Sequence, residues 1–145
     1  MKITDIRTVP LRYEGQQFFD AVHSLRVRTC VLVEVHTDAG LVGIGEAGWR
    51  PEVVRPIIET DLRSMLLGQD PLHIERLWAL QWTRMGIGGR KGYVVLAMSG
   101  IDMALWDLMG KAAGLPVYRL LGGFADRIPA YASGALMRTR HVEYL

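Results

Sequence analysis

The sequence has little of what marks extracellular, membrane or nucleic-acid-binding proteins. Cys30 is the one cysteine among 145 residues, so no intrachain disulfide can form and a reducing compartment is favoured. The 17 basic and 15 acidic side chains leave a charge of +2 and are scattered, which argues against nucleic acid. Residues 1–13 hold no apolar run of the kind that a signal peptide or membrane span needs. We therefore predict a cytoplasmic protein with neither nucleic acid nor membrane as partner.

The first fifty residues show the pattern of a small sheet. Apolar and polar residues alternate along 3–13, 26–36 and 41–46, and this period of two predicts three strands. Asp38 and Gly40 supply the turn chemistry of a hairpin between the second and third strands. Residues 14–24 are predicted to form a loop, and a loop of that length in a compact domain is usually functional or mobile. The sequence thus predicts a three-stranded antiparallel meander.

Helical patterns follow the strands. Either Pro51 or Pro56 suits the first turn of a helix that Gly68 stops, and a second helix is predicted over 72–83. A third helix is predicted from an apolar stripe about five turns long that Gly114 and Pro116 end. The stripe consists of Val94, Ala97, Met98, Ile101, Leu105, Leu108, Met109 and Ala112. Strands followed by a three-helix part predict the α+β class.

The stretch "GIGEAG", residues 43–48, matches the G-x-G-x-x-G pattern of dinucleotide-binding folds. That fold needs a crossover helix and then a parallel strand, but three helical patterns follow here before the next strand pattern at 128. Glu46 would also place a carboxylate beside the pyrophosphate. We therefore interpret Gly43 and Gly45 as strand residues at which another backbone approaches closely or a bulge forms.

Three segments carry a family resemblance. "SGIDMALWDLMGKAAGLPVYRLLGG", residues 99–123, resembles the segment that closes the N-terminal capping domain of the enolase superfamily, in the branch of mandelate racemase, muconate lactonizing enzyme and the acid-sugar dehydratases. "GIGE" at 43–46 is similar to that family's third-strand ending, and "IPAYASG" at 128–134 resembles its first barrel strand. The resemblance implies a capping domain over 1–125, then the first strand and the start of the first helix of a β/α barrel over 126–145.

Family chemistry is proton abstraction next to a carboxylate, with Lys or His bases and Mg²⁺ stabilising the enediolate. Because later barrel strands provide the base and the metal ligands, the resemblance implies that this chain has no catalytic residue or metal ligand and is inactive alone. The parent would be a Mg²⁺-dependent dehydratase or racemase of a carboxylate or acid sugar, and a homo-oligomer. Racemisation, dehydration and lactonisation stay open. A stand-alone binding or oligomerisation module that kept the capping fold and lost catalysis is the alternative.

The resemblance also implies that residues 14–24 and the loop after Glu46 are two flaps over the substrate, near the rest of the barrel. Arg50 suits a hydroxylated anion, and a serine near the C-terminal end of a barrel strand lies where barrel sites are built. The predicted substrate-binding residues are Phe18, Phe19, His23, Trp49, Arg50 and Ser133. Phe18 and Phe19 could instead pin their loop to its own domain. Asp102, beside the apolar stripe, is predicted to accept hydrogen bonds in a buried position.

Overall fold

The computed structural model describes residues 1–19, 24–89 and 91–130, with the backbone alone for 16–19, 24 and 25. Three antiparallel strands form one sheet in the order β1-β2-β3. They are β1 (Ile3–Phe19), β2 (Ser24–Thr37) and β3 (Val42–Gly48). Helices follow the strands along the chain. The predicted antiparallel meander and the α+β class are confirmed.

The predicted loop over residues 14–24 is wrong, because most of it belongs to strands. β1 continues to Phe19 and β2 begins at Ser24, with Phe18 opposite Leu25 and Phe19 opposite Ser24. The register shifts between Glu14 and Phe18. Polar residues such as those after Glu14 break the alternation of a half-buried strand, but backbone pairing between two strands does not require that alternation. Residues 20–23 lie outside the described part of the chain.

The first helical segment has three consecutive parts. These are α1 (Pro51–Pro56), a π-helical part π1 (Ile57–Leu62) and α2 (Arg63–Leu66). Pro56 has no N–H to donate to the preceding turn and its ring crowds that turn, which accounts for a change of helical type directly after it. The Thr60 hydroxyl donates to the Pro56 carbonyl at 2.6 Å. The predicted helix is therefore present, with a wide turn in its middle.

Three further helices follow in the described part of the chain, namely α3 (Ile74–Arg84), α4 (Tyr93–Ala113) and α5 (Val117–Leu120). The second predicted helix begins two residues late, because Leu72 and His73 precede the first helical residue. The third is confirmed, and Gly114 ends it in the left-handed conformation at φ 65°. The short α5 was not predicted, because four residues are too few to show a helical period.

The core lies between the sheet and α4. Val31, Val33 and Val35 alternate along β2 and are fully buried, as are Ile101 and Leu105 of α4. Trp78, Trp82 and Trp106 pack half-buried against this core. By length and composition α4 could cross a membrane, with a mean hydropathy of 1.3, but half of that window is buried inside the domain. Its apolar residues are therefore explained by packing against the sheet.

The described segment after α5 forms neither helix nor strand. Phe124 and Ile128 are 104% and 82% exposed, and residues 124–130 pair with no other described strand. The rest of the predicted barrel strand over 128–134, with Ser133, lies outside the described residues. The division into a capping domain over 1–125 and a barrel start over 126–145 stays a prediction.

Candidate functional site at the turn between β3 and α1

The glycines of the G-x-G-x-x-G stretch hold β3 against α4. A Cβ built on Gly43 would lie 2.1 Å from the Ala104 carbonyl oxygen, and one on Gly45 would lie 2.0 Å from that of Gly100. A Cβ on Gly100 would in turn lie 2.8 Å from the Ala47 Cβ. Strand and helix thus approach backbone to backbone, which only glycine permits. The close-approach interpretation of Gly43 and Gly45 is confirmed.

Two charged residues of α4 fix the free edge of β3. Asp107 Oδ2 accepts the Ile44 N–H at 2.7 Å, and Lys111 Nζ donates to the Val42 carbonyl, also at 2.7 Å. The two side chains are joined to each other at 2.7 Å. An edge strand carries unpaired backbone groups that need partners. This Asp107–Lys111 pair, which we call the edge clamp, supplies them where β2 cannot.

Trp49 and Arg50, directly after β3, have left-handed backbones. Their φ angles are 53° and 52°, the only positive values among the described non-glycine residues. A left-handed conformation costs a residue with a Cβ about 1–2 kcal/mol. Such strain persists only where the surroundings impose it, and it is concentrated at functional sites. Two consecutive strained residues therefore single out this turn.

The start of α1 holds the turn on its other side. The Arg50 carbonyl accepts the N–H groups of Val53 and Val54 at 2.9 and 3.1 Å, so Arg50 occupies the N-cap position. Pro51 follows at the first helical position, and Val54 is fully buried. The turn is thus fixed between a clamped strand and an anchored helix.

Both side chains of the turn reach solvent. Trp49 is 59% exposed. The Arg50 side chain is 61% exposed and its Nε lies 2.7 Å from Glu52 Oε1. An ion pair between two side chains this exposed stabilises the fold by about 0–1 kcal/mol. An incoming anion can therefore displace Glu52 from Arg50 at little cost.

The turn lies at the same end of the sheet as the β1–β2 hairpin. Gly48, Cys30 and Leu11 form one row across the three strands, and β1 continues from Leu11 to Phe18. Those seven further residues carry the hairpin about 23 Å past the row at 3.3 Å per residue. The backbone therefore brings four of the predicted substrate-binding residues, Phe18, Phe19, Trp49 and Arg50, to one end of the sheet, at different heights.

The remaining predicted site residues are Phe18, Phe19, His23 and Ser133. The side chains of Phe18 and Phe19 are not described, so neither the substrate-facing nor the pinning hypothesis for them is tested. His23 and Ser133 lie outside the described residues. The edge clamp was not found from the sequence, although the spacing of Asp107 and Lys111 by four residues on a helix could have indicated an ion pair.

Asp102 does not fulfil its predicted role. It is half-buried, and its carboxylate makes no hydrogen bond within the described part of the chain. Burial, and to a lesser extent the negative charge of Glu75, raises the pKa of Asp102. The prediction assumed that a hydrogen-bond donor lies beside a buried carboxylate. In α3 and α4, however, the backbone N–H groups inside the helix donate to carbonyl groups of the same helix. Its surroundings therefore disfavour the charged form of the Asp102 carboxyl group, and this group anchors no neighbouring residue.

The described residues do not offer a magnesium site. Nowhere in residues 1–19, 24–89 and 91–130 do three His, Cys, Asp or Glu side chains converge as metal ligands would. Mg²⁺ is held by carboxylate and other oxygen ligands, so this part of the chain does not fit the ion.

A shallow cleft of about 450 Å³ between α3 and α4, lined by Leu72, Trp106 and Met109 among others, is mainly apolar.

Comparison with known proteins identifies the fold. Residues 4–122 match the family described as mandelate racemase / muconate lactonizing enzyme, N-terminal domain. The chain belongs to this family. The mandelate racemase / muconate lactonizing enzyme family thus accounts for the three strands followed by helices, and the resemblance inferred from residues 99–123 is confirmed.

Similar proteins include enzymes named as a dehydratase, a cycloisomerase and a racemase. Arabinonate dehydratase of Saccharolobus solfataricus is 38% identical over 141 residues, covering 91% of this chain and 37% of the relative. D-galactarolactone cycloisomerase of Agrobacterium fabrum is also 38% identical, covering 95% and 37%. The crystal structure of a racemase from Streptomyces coelicolor A3(2) with bound magnesium superposes with a TM-score of 0.86 at 32% identity, covering 91% and 38%. The chain spans less than two fifths of each of these relatives.

Proposed function

We propose that this chain is the capping part of a Mg²⁺-dependent enzyme of the enolase superfamily that acts on a carboxylate substrate of the acid-sugar class. The strained, exposed turn at Trp49 and Arg50 is the observation that carries the proposal. The names of the relatives, a dehydratase of arabinonate and a cycloisomerase of a galactarolactone, support the substrate class. In this role the domain closes over the substrate and sets its specificity.

Arg50 has the chemistry that the role requires. Its guanidinium presents several N–H donors in a fixed plane, which suits a carboxylate or neighbouring hydroxyl oxygens. Trp49 beside it adds a large apolar surface with one donor. The clamped β3 holds both before the substrate arrives, so less ordering is needed upon binding. Proton abstraction would remain with the rest of the parent enzyme.

The metal and the base are proposed to lie outside this chain. The relative with bound magnesium supports a Mg²⁺ requirement for the parent, and within the described residues no ligand set fits the ion. The proposal therefore gives this domain the tasks of binding, orienting and excluding water. A homo-oligomeric, cytoplasmic parent, with the remaining barrel as partner, completes it.

Proton abstraction can be tested without knowing the product. The complete parent enzyme is incubated in D₂O with Mg²⁺ and a panel of sugar acids, and NMR follows deuterium entering the position next to the carboxylate. We expect exchange with at least one acid, none after chelation of Mg²⁺, and none with the 145-residue chain alone. The new signals then distinguish dehydration, racemisation and cycloisomerisation. If the folded parent exchanged no proton of any acid, the stand-alone module would be the better account.

A further inference from the structure

Glu52 adds a negative charge to the turn formed by Trp49 and Arg50. Its Oε1 lies 2.7 Å from Arg50 Nε, and the Arg50 and Glu52 side chains are 61% and 62% exposed. Arg50 has a left-handed backbone at φ 52° and is the N-cap of α1, and Glu52 lies in the first turn of that helix. The fully buried Val54 anchors the same turn to the core. The backbone therefore fixes the point from which each side chain extends, and a cation and an anion reach solvent side by side.

The Arg50–Glu52 pair offers hydrogen-bond donors and acceptors together. A guanidinium group only donates and a carboxylate only accepts, whereas a hydroxyl group does both. Neighbouring hydroxyl groups of one ligand can therefore accept from Arg50 and donate to Glu52 at the same time. A ligand carboxylate at this place can accept from Arg50, but it has no hydrogen to donate to Glu52. The pair is thus better matched to hydroxyl groups than to a carboxylate.

The charge of Glu52 favours the same choice. Because this residue is fixed in the first turn of α1, its carboxylate stays close to Arg50 even when a ligand displaces it from the guanidinium. Two negative charges about 6 Å apart at an exposed site repel each other enough to weaken binding about three- to tenfold. Neutral hydroxyl groups are not repelled in this way.

We propose that Glu52 is a specificity-determining residue, which together with Arg50 selects sugar acids with one carboxylate over dicarboxylates of the same configuration. This inference rests on the proposed function and narrows its substrate class. The reacting carboxylate of the substrate belongs with the base, in the rest of the parent enzyme. The turn then contacts the hydroxylated remainder of the substrate, which Arg50 attracts and from which Glu52 excludes a second negative charge.

Matched pairs of substrates test this selection in the complete parent enzyme. Each pair consists of an aldonic acid and the aldaric acid of the same configuration, such as D-gluconate with D-glucarate and D-galactonate with galactarate, and kcat/KM is measured for both members. We expect the unmodified enzyme to prefer the aldonic acid. Glu52→Gln removes the charge and nearly keeps the size of the side chain, so it should shift the ratio towards the aldaric acid about three- to tenfold. The shift should shrink at high salt, because exposed charges are screened.

Asp38→Asn is the matched control. It removes the same charge at the opposite end of β3, about 20 Å away along the seven-residue strand. Asp38 Oδ1 accepts the Lys2 N–H at 2.8 Å, and asparagine keeps such an oxygen. This variant should leave the ratio unchanged, and cooperative thermal unfolding confirms that both variants are folded.

The Arg50→Ala variant separates this inference from the proposed function. If Arg50→Ala raises KM but Glu52→Gln leaves the ratio of the two acids unchanged, the selection by Glu52 is wrong and the proposed function stands. If Arg50→Ala leaves KM unchanged, or the parent acts on no sugar acid, the proposed function fails and this inference fails with it. A parent that prefers the aldaric acids would overturn the selection alone.

Discussion

Gly45 lies so close to Gly100 that a Cβ on the strand residue would come within 2.0 Å of the helix carbonyl oxygen. This contact between β3 and α4 sets the position from which the chain turns into Trp49 and Arg50. The pattern that resembles a nucleotide-binding motif therefore serves packing. The Trp49–Arg50 turn depends on this packing indirectly, because the position of β3 sets where the turn begins.

Replacement of Gly45 by alanine should destabilise the domain. The new methyl group has backbone atoms rather than flexible side chains as its nearest neighbours, so we expect a loss of at least about 1–3 kcal/mol in the free energy of unfolding. Gly48→Ala is the matched control in the same strand, since its Cβ would meet nothing within 4 Å. Urea denaturation of both variants decides the matter. Equal stabilities would show that α4 can move away from β3 freely.

The edge clamp gives a second stability prediction. In Asp107→Ala the Ile44 N–H loses its acceptor, which should cost about 1–3 kcal/mol. The amide hydrogen of Ile44 should also exchange with solvent faster. The exchange rates of core amides such as that of Val33 should change only as far as the free energy of global unfolding changes. Asp61→Ala serves as an exposed control. An unchanged Ile44 exchange rate would mean that the clamp is not formed in solution.

Asp5 should make stability depend on acid pH. Hydrogen bonds from Arg7, at 2.9 Å, and from Arg63, at 2.8 and 3.0 Å, hold the pKa of Asp5 below its ordinary value. A carboxyl whose pKa is lowered by folding stabilises the fold above its unfolded pKa, about 3.9, and this contribution is lost as the pH falls towards the folded pKa. Asp5→Asn should therefore be less stable than the unmodified chain at pH 7, and the gap should close below about pH 4. A gap that persisted at low pH would exclude the charge as its cause.

Asp102 should behave in the opposite way. Because burial raises its pKa, the charged carboxylate is less stable in the folded than in the unfolded state, and the domain loses stability as the pH rises through the ordinary pKa of an aspartate. Asp102→Asn should therefore raise the melting temperature at pH 7 and have little effect at pH 3. Thermal unfolding at the two pH values measures this. A lower melting temperature at pH 7 would show that the carboxylate is stabilised after all.

Local patterns predicted much of the fold. The apolar stripe of α4 and the turn at Asp38 and Gly40 were readable because each depends on residues close in sequence. The β1–β2 hairpin was not, since pairing between Phe19 and Ser24 leaves no signature in polarity. The contact from Ile44 to Asp107 spans 63 residues, and no periodicity encodes it.

The candidate site was predicted in part. Trp49 and Arg50 were selected for their chemistry and because the family resemblance implies a flap after Glu46. The structure adds a left-handed backbone that no propensity indicates for these residue types. The edge clamp and the glycine contacts that hold the turn could not be assigned to it before the register of β3 on β2 was known.

The kinetics of Arg50→Ala in the complete parent enzyme test the central claim most directly. A hydrogen bond to a charged group is worth about 1.5–3 kcal/mol, so we expect kcat/KM to fall about 10- to 150-fold, mainly through KM, and more for a polyhydroxylated acid than for an apolar one. Arg76→Ala, an exposed arginine on α3, is the control and should change neither constant. An Arg50→Ala enzyme with unchanged KM and unchanged preference between the two acids would contradict the assignment of this turn to the substrate.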